Sequence, residues 1–227
     1  MGQLIDLTLP TRKHWRWFAR TMLKDDLADG DPFRHTYMTI NMHGFTHADG
    51  PNHFLADGMD IASVPLERYY GDAVVVDLSH LGPNGAITAE ELERHAADIG
   101  EGDIVLLRTD WPQKCDWESM RFWAEAPYTD ATACRWLIER GVKLVGYDYP
   151  PDYVLRYQVT DPERYALCTQ EEFTTHAHFF PEGIAVIEYL TNLHSLTSKR
   201  VKFFALPIPF EGADGSPVRA VALQEHD

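Results

Sequence analysis

Short runs of β-branched and other apolar residues recur along the chain and predict the strands of a sheet. Four such runs lie at residues 73–78, 103–108, 142–146 and 183–188, and residues 218–223 are a fifth candidate. Proline and glycine mark turns throughout. The pattern predicts short strands spread along most of the chain.

Two stretches with helical spacing interrupt these runs. The first begins at Thr88, where Glu91 three residues later completes a capping-box pair, and ends near Gly100. The second covers residues 130–140 and is followed by Gly141, a residue suited to a left-handed cap. Strands that alternate with few helices indicate a mixed α/β domain and not a fully doubly wound one.

Residues 11–36 differ from the rest of the chain. Residues 11–18 are basic and aromatic, and residues 25–32 are polar with turn-forming residues. One interpretation is a surface helix that docks its tryptophans on the core; the other is a lid or a contact with a partner subunit. Because no long linker interrupts the chain, we expect residues 1–227 to form a single domain.

Charge narrows the classes of partner. The 227 residues include 20 Lys and Arg against 35 Asp and Glu, a net charge of −15. A surface of that sign repels phosphate backbones and anionic lipids, so nucleic acid and membrane are poor partners. The three cysteines are widely spaced without a CxxC motif, which is typical of reduced thiols and predicts a cytoplasmic protein.

The candidate chemistry lies in residues 41–54, where three histidines and an aspartate fall within eleven residues: His43, His47, Asp49 and His53. Glycine and proline among them argue against a helix and favour an irregular loop. In an extended stretch the side chains of His47 and Asp49 project to the same side. Neutral imidazoles and a carboxylate suit Zn²⁺, Mn²⁺ or Fe²⁺. We therefore expect a metal site.

The stretch HGFTHADGPNH resembles the HxGTHxDxPxH signature of the cyclase-like metal-dependent hydrolases, which include bacterial kynurenine formamidase, isatin hydrolase and a trans-dienelactone hydrolase. Residues 102–111, 141–150 and 212–222 are also similar to segments of that family, in the same order. The resemblance covers nearly the whole chain. It implies a swivelling β/β/α fold with a mixed sheet.

The resemblance also implies the site. The implied metal ligands are His43, His47, Asp49, His53, His176 and Glu188. His176 stands twelve residues before Glu188, the spacing found in the family, and His178 fits that spacing less well. The implied cofactor is Zn²⁺ or Mn²⁺, one or two ions per subunit, with Asp49 and Glu188 able to bridge two of them. Either His53 or Glu188 would carry the proton to the leaving group.

The implied activity is hydrolysis of the carbon–nitrogen bond of an aryl formamide by metal-bound hydroxide. The substrate is expected to be a small aromatic or cyclic amide or ester, and the protein a homodimer or homotetramer. Alternatives are the opening of a cyclic amide or lactone and a catalytically inactive family member. An Fe(II) oxygenase using His47, Asp49 and His176 would leave the other three candidate ligands unexplained.

Several residues can be interpreted from the sequence as either functional or structural. Four aromatic residues near the motifs are either walls of a pocket for a flat substrate or core: Phe45, Trp111, Tyr147 and Tyr149. Phe45 also departs from the family, because it replaces a glycine of the signature and so is expected to reshape or block the pocket. Thr46 either orients a ligand through its hydroxyl or is a turn residue.

Overall fold

The computed structural model describes residues 2–96 and 98–225. The strands are β1 (Gln3–Asp6), β2 (Ala19–Asp25), β3 (His35–Ile40), β4 (His47–Asp49), β5 (Tyr70–Asp77), β6 (Ala86–Ile87), β7 (Ile104–Arg108), β8 (Tyr128–Thr129), β9 (Leu144–Tyr147), β10 (Ala185–Glu188), β11 (Arg200–Phe204), β12 (Gly215–Pro217) and β13 (Val221–Gln224). The helices are α1 (Ala89–Ala96), α2 (Trp111–Lys114), α3 (Met120–Ala124), α4 (Ala131–Glu139), α5 (Tyr157–Thr160), α6 (Pro162–Tyr165) and α7 (Thr174–Phe179).

Nine of these strands form one mixed sheet in the order β1-β13-β11-β5-β7-β9-β10-β4-β12. The four central strands, β5, β7, β9 and β10, run parallel to their neighbours within that group. Antiparallel strands extend the sheet on both sides. The predicted mixed α/β architecture is confirmed, and all five predicted strands are present within a few residues of their expected bounds.

Alternation along the parallel strands separates the core into two layers. Val74, Val105, Val145 and Val186 are register partners and face the cluster that also contains helix residues such as Leu137.

The next row, made of Ala73, Ile104, Leu144 and Ala185, faces a second cluster. Residues of β11 and β13 belong to that same second cluster, so the sheet curls over and covers its own far face. The result is a β/β/α layering in which the central strands are buried on both sides.

The two predicted helices are present as α1 and α4. Thr88 Oγ1 accepts from the Glu91 backbone N–H at 3.3 Å. α1 ends at Ala96, and residue 97 of the predicted helix lies outside the described residues. Asp130 caps α4 by accepting from two backbone N–H groups, and Gly141 after the helix has a φ of +67°, in the left-handed region that glycine favours.

The prediction of a surface helix within residues 11–36 is wrong. Residues 11–18 have no regular structure, and β2 and β3 then form an antiparallel hairpin. β2 is solvent-exposed along most of its length, so the hairpin lacks the alternation that identifies a half-buried strand. The expected docking on the core holds for Trp17, which is 3% exposed, but not for Trp15.

Across the described part of the chain, no helix has the length and apolar character needed to cross a bilayer.

We expect Gly58→Ala to destabilise the fold near the turn Pro51–His53, which carries the candidate ligand His53. A β-carbon at Gly58 would lie 2.5 Å from the carbonyl carbon of Pro51 and 2.6 Å from the backbone nitrogen of Asn52. Backbone must shift to admit it, so the free energy of unfolding should fall by about 1–3 kcal/mol in a denaturant titration. Gly82→Ala is the matched control, because a β-carbon there meets nothing within 4 Å. Equal stabilities of the two variants would contradict the prediction.

Candidate active site

Strand pairing brings the two distant parts of the candidate site together. β4 lies between β10 and β12 in the sheet. Glu188 of β10 is the register partner of His47 of β4, and Gly215 of β12 is the partner of Asp49. Residues 141 positions apart in the sequence (188 − 47) therefore face each other across one ladder.

His176 reaches this point from α7. Its Nε2 lies 3.3 Å from Asp49 Oδ2 and 3.3 Å from Glu188 Oε1. His47 Nε2 lies 3.1 Å from Asp49 Oδ1 and 3.9 Å from Glu188 Oε2. His178, the competing candidate, contacts the carbonyl of Thr174 through Nδ1 and is not part of this cluster.

His43 and His53 lie on the outer side of the cluster. His43 Nδ1 is 2.7 Å from Asp49 Oδ1, and its Nε2 is 2.9 Å from Asp214 Oδ2. The His53 ring stacks on the His43 ring with centroids 3.9 Å apart, and His53 Nδ1 is 3.4 Å from the same Asp214 oxygen. All six predicted residues are thus in one neighbourhood, with His53 at its edge.

Two sets of ligand-type atoms share Asp49, and a third set, made of His43, His53 and Asp214, shares His43 with one of them. His43, His47 and Asp49 make one set and Asp49, His176 and Glu188 the other, with the atoms of each set within 4.8 Å of one another. Asp49 belongs to both, with Oδ1 facing the first set and Oδ2 the second.

The rings of His47 and His176 are oriented by hydrogen bonds on their far sides. His47 Nδ1 donates to the carbonyl of Phe45 at 2.9 Å. His176 Nδ1 donates to Asp152 Oδ2, while Asp152 Oδ1 accepts from the Thr175 backbone N–H at 2.6 Å. Since a carbonyl and a carboxylate only accept, the proton of each ring belongs on Nδ1. Each Nε2 then directs a lone pair at the carboxylates.

A lone pair that faces a carboxylate oxygen is unfavourable unless a positive charge lies between them, either a proton on Nε2 or a bound cation. Asp49 Oδ2 and Glu188 Oε1 are buried and receive no well-aligned hydrogen bond from any described residue. Nitrogen and carboxylate-oxygen donors that converge in this way fit a divalent cation.

The pKa values respond to the same arrangement. Burial opposes ionisation of Asp49, but the surrounding histidines outweigh it and hold the pKa of this carboxyl well below its ordinary value. Burial likewise opposes the charged form of His176, yet Asp152, Asp49 and Glu188 raise its pKa well above the ordinary value. In the protein alone, the cluster therefore favours an ionised Asp49 carboxylate and a protonated His176 imidazole.

His43 and His53 differ from each other in the same neighbourhood. Although burial disfavours its charged form, hydrogen bonds with Asp49 and Asp214 raise the pKa of His43 to about 9. Burial lowers the pKa of His53, and the positive neighbours His43 and His176 act in the same direction. The neutral form is therefore favoured for His53, in contrast to His43.

The cluster forms one wall of a cleft of about 320 Å³. The other residues that line this cleft are Arg16, Asn41, Phe54, Leu155, Gln158, Tyr165, Phe173 and Tyr189. None of the four aromatic residues proposed as pocket walls from the sequence lines it, because Phe45, Trp111, Tyr147 and Tyr149 are at most 1% exposed in the core. Thr46 does not orient a histidine either: its hydroxyl donates to the carbonyl of Tyr189 and accepts from the Leu9 N–H.

Sequence reasoning missed three residues of this region. Asp152 orients His176, Asp214 contacts two histidines, and Arg16 lines the cleft. Asp214 lies within a segment already singled out, residues 212–222, and Asp152 stands two residues after the end of another, residues 141–150. A polar residue there was a usable signal, although only the fold shows which histidine each one meets.

The comparisons with known proteins agree with this geometry. A family model described as "Putative cyclase" matches residues 5–151. Kynurenine formamidase from Bordetella petrii is 32% identical over 212 residues, which cover 93% of this chain and 87% of the relative. The kynurenine formamidase of Bacillus mycoides is 31% identical over 185 residues, covering 81% and 77%. The chain belongs to the cyclase family.

The fold also matches a solved structure of similar size. Isatin hydrolase A from Ralstonia solanacearum superposes with a TM-score of 0.79 at 23% identity, covering 99% of this chain and 92% of that one. The expected cyclase-like fold is therefore confirmed.

Phe45 shows how this member of the cyclase family departs from the signature. Its φ is +62°, the left-handed conformation that a glycine adopts without strain. The ring is buried and packs on Trp17, with centroids 4.9 Å apart. It points into the core and does not line the cleft, so the departure does not block the site.

We expect Asp152→Asn to weaken metal binding through His176. The variant keeps the side-chain shape but removes the charge that orients this imidazole, and loss of such a partner typically costs 10–100-fold in metal affinity or activity, so a drop of about that size is expected in a competition titration with a chelating dye. Asp148→Asn is the control: this buried carboxylate accepts from the backbone of Thr109 and Asp110 and lies outside the ligand sets. Equal loss of affinity in both variants would refute the role given to Asp152.

Proposed function

We propose that this cyclase-family protein is a metal-dependent amide hydrolase that cleaves the carbon–nitrogen bond of an aryl formamide. The observation that carries the proposal is the pair of ligand sets sharing Asp49, which opens onto a cleft. The similarity to kynurenine formamidases over most of the chain supports a formamide as the substrate.

In this proposal, the ligand sets would hold one or two divalent cations. His43 and His47 would bind one, His176 and Glu188 the other, and Asp49 would bridge them. Donors of this kind suit both Zn²⁺ and Mn²⁺, and we propose one of these two ions. A cation bound there would lower the pKa of its bound water toward about 7 and would polarise a carbonyl group.

The protein's own residues then position the substrate. Phe54, Tyr165 and Phe173 line the cleft and offer flat apolar surfaces to an aromatic ring. The formamide carbonyl would lie toward Asp49 and Glu188. Attack on that carbonyl produces a tetrahedral species, and expulsion of the aryl amine requires a proton for its nitrogen.

His53 is the better of the two proposed proton carriers. Glu188 is almost completely buried and faces His47 and His176, which favours the role of a metal ligand over that of a proton carrier. The His53 side chain is 31% exposed, lines the cleft and lies beside Asp214, which is itself 49% exposed. Because burial lowers its pKa, neutral His53 can accept a proton and pass it to the leaving amine.

The residues of the site also bear on the competing functions. Opening of a cyclic amide or lactone would use identical residues, so the substrate assay decides between it and formamide cleavage. An Fe(II) oxygenase would use only His47, Asp49 and His176 and would leave the other three candidate ligands, His43, His53 and Glu188, without a role. The inactive alternative depended on Phe45 blocking entry, and that ring lies in the core. A homodimer or homotetramer and a cytoplasmic location stay predictions.

We expect His47→Ala to lose both metal and activity. This imidazole is 1% exposed and contacts the buried carboxylates of Asp49 and Glu188. Its removal therefore takes away a proposed metal ligand and the group that both carboxylates contact. The measurement is elemental analysis of the purified protein together with hydrolysis of N-formyl aryl amines, isatins and lactones. His178→Ala, a histidine outside the ligand sets, should behave like the wild type. Activity of His47→Ala at a normal metal ratio would remove His47 from the site.

We expect His53→Gln to separate proton transfer from metal binding. If His53 carries the proton, kcat for N-formyl aryl amines should fall by about 10²–10⁴-fold while metal content stays at the wild-type ratio. Loss of a metal ion in this variant would instead make His53 a ligand. A formamide with a more acidic leaving amine should restore part of the rate, because its departure needs less protonation.

A further inference from the structure

Arg16 is the single Lys or Arg among the residues that line the cleft. It belongs to the irregular segment 11–18, which the proposed reaction does not use. The neighbouring Trp17 anchors this segment, since it is buried and packs against Phe45, Trp123 and Tyr189 with ring centroids 4.8–5.2 Å apart. The backbone that carries Arg16 is therefore fixed beside the candidate site.

The Arg16 guanidinium is held in place without an ion-pair partner in residues 2–96 and 98–225. Its Cζ lies 4.0 Å from the centre of the Trp123 ring, a stacking contact that restricts the side chain. Its Nε is buried and meets no hydrogen-bond acceptor among the described residues. By contrast, Arg12 on the same segment pairs with Glu118 at 2.6 Å, and Arg34 pairs with Asp26 at 2.9 Å. Because Arg16 lines the cleft and its terminal nitrogens pair with no described acceptor, these nitrogens are the donors that a molecule in the cleft would meet.

These donors suit an anion with a planar face. A guanidinium offers parallel N–H groups that match the two oxygens of a carboxylate. Asp49 and Glu188 line the cleft within the ligand sets, whereas Arg16 lines it outside those sets.

We propose that Arg16 binds a carboxylate of the substrate, remote from the formamide, and so determines specificity for aryl formamides that carry an acidic group. The inference rests on the proposed hydrolase function, which it extends by naming the class of substrate. It also gives segment 11–18 a role as the specificity wall of the cleft.

The test compares charged and neutral substrates of the same shape. The probes are the three isomeric formamidobenzoates and the corresponding formamidobenzamides, assayed with the metal-loaded protein. The wild type should prefer at least one benzoate over its amide. Arg16→Gln should raise KM for that benzoate by about 10–100-fold, the range expected for a charge-assisted hydrogen bond, and change kcat/KM for the amide less than about threefold. Arg16→Lys should restore part of the benzoate preference.

Arg20→Gln is the matched control, because it removes one positive charge from an exposed position on β2, outside the cleft. A loss of the same size in Arg20→Gln would mean a general charge effect and would overturn the inference. Equal losses for benzoate and amide in Arg16→Gln would make Arg16 structural and would overturn it too.

A binding measurement separates this inference from the proposed function. Calorimetric titration of the metal-loaded wild type and Arg16→Gln with aminobenzoates and aminobenzamides does not depend on turnover. Carboxylate binding that is lost in Arg16→Gln supports the role of Arg16 even if no formamide is cleaved, an outcome that would refute only the hydrolase proposal. Equal binding of acid and amide by the wild type would refute the role of Arg16 whatever the activity.

Discussion

The buried carboxylate of Asp49 is the constraint on which the site depends. It is 1% exposed, and a charge placed there is costly unless positive groups surround it. Histidines from β4, α7 and the loop before β4 provide those groups, and their far-side hydrogen bonds direct lone pairs inward. A cation between them would relieve the same requirement that raises the pKa of His176 in the protein alone.

The position of Asp49 follows from the mixed character of the sheet. The parallel strands β5, β7, β9 and β10 have both faces buried, which makes them a rigid support. The short antiparallel strand β4 then joins the edge of β10 and places His47 opposite Glu188. The stable part of the sheet is thus built from apolar side chains, whereas the reactive groups lie where the strand direction changes.

Much of this could be predicted from local patterns, because β-branched apolar runs identify buried strands without knowledge of their neighbours. The spacing of His47 and Asp49 likewise indicated side chains that project to the same side, whereas His176 and Glu188 were implied only by the resemblance to a known family. The hairpin β2–β3 escaped prediction because it is exposed and lacks alternation. Asp152 and Asp214 escaped because each acts through a histidine that is remote in sequence, and no local pattern encodes such a contact.

Phe45 has a consequence for how related chains are recognised. The residue with this left-handed backbone conformation, which normally favours glycine, is here a phenylalanine, and its ring packs against Trp17. The two residues form a coupled pair, and Trp17 belongs to a segment remote from the signature. A search that requires glycine at the position of Phe45 would miss this chain, whereas a search that also accepts a bulky residue together with a tryptophan earlier in the chain would find it.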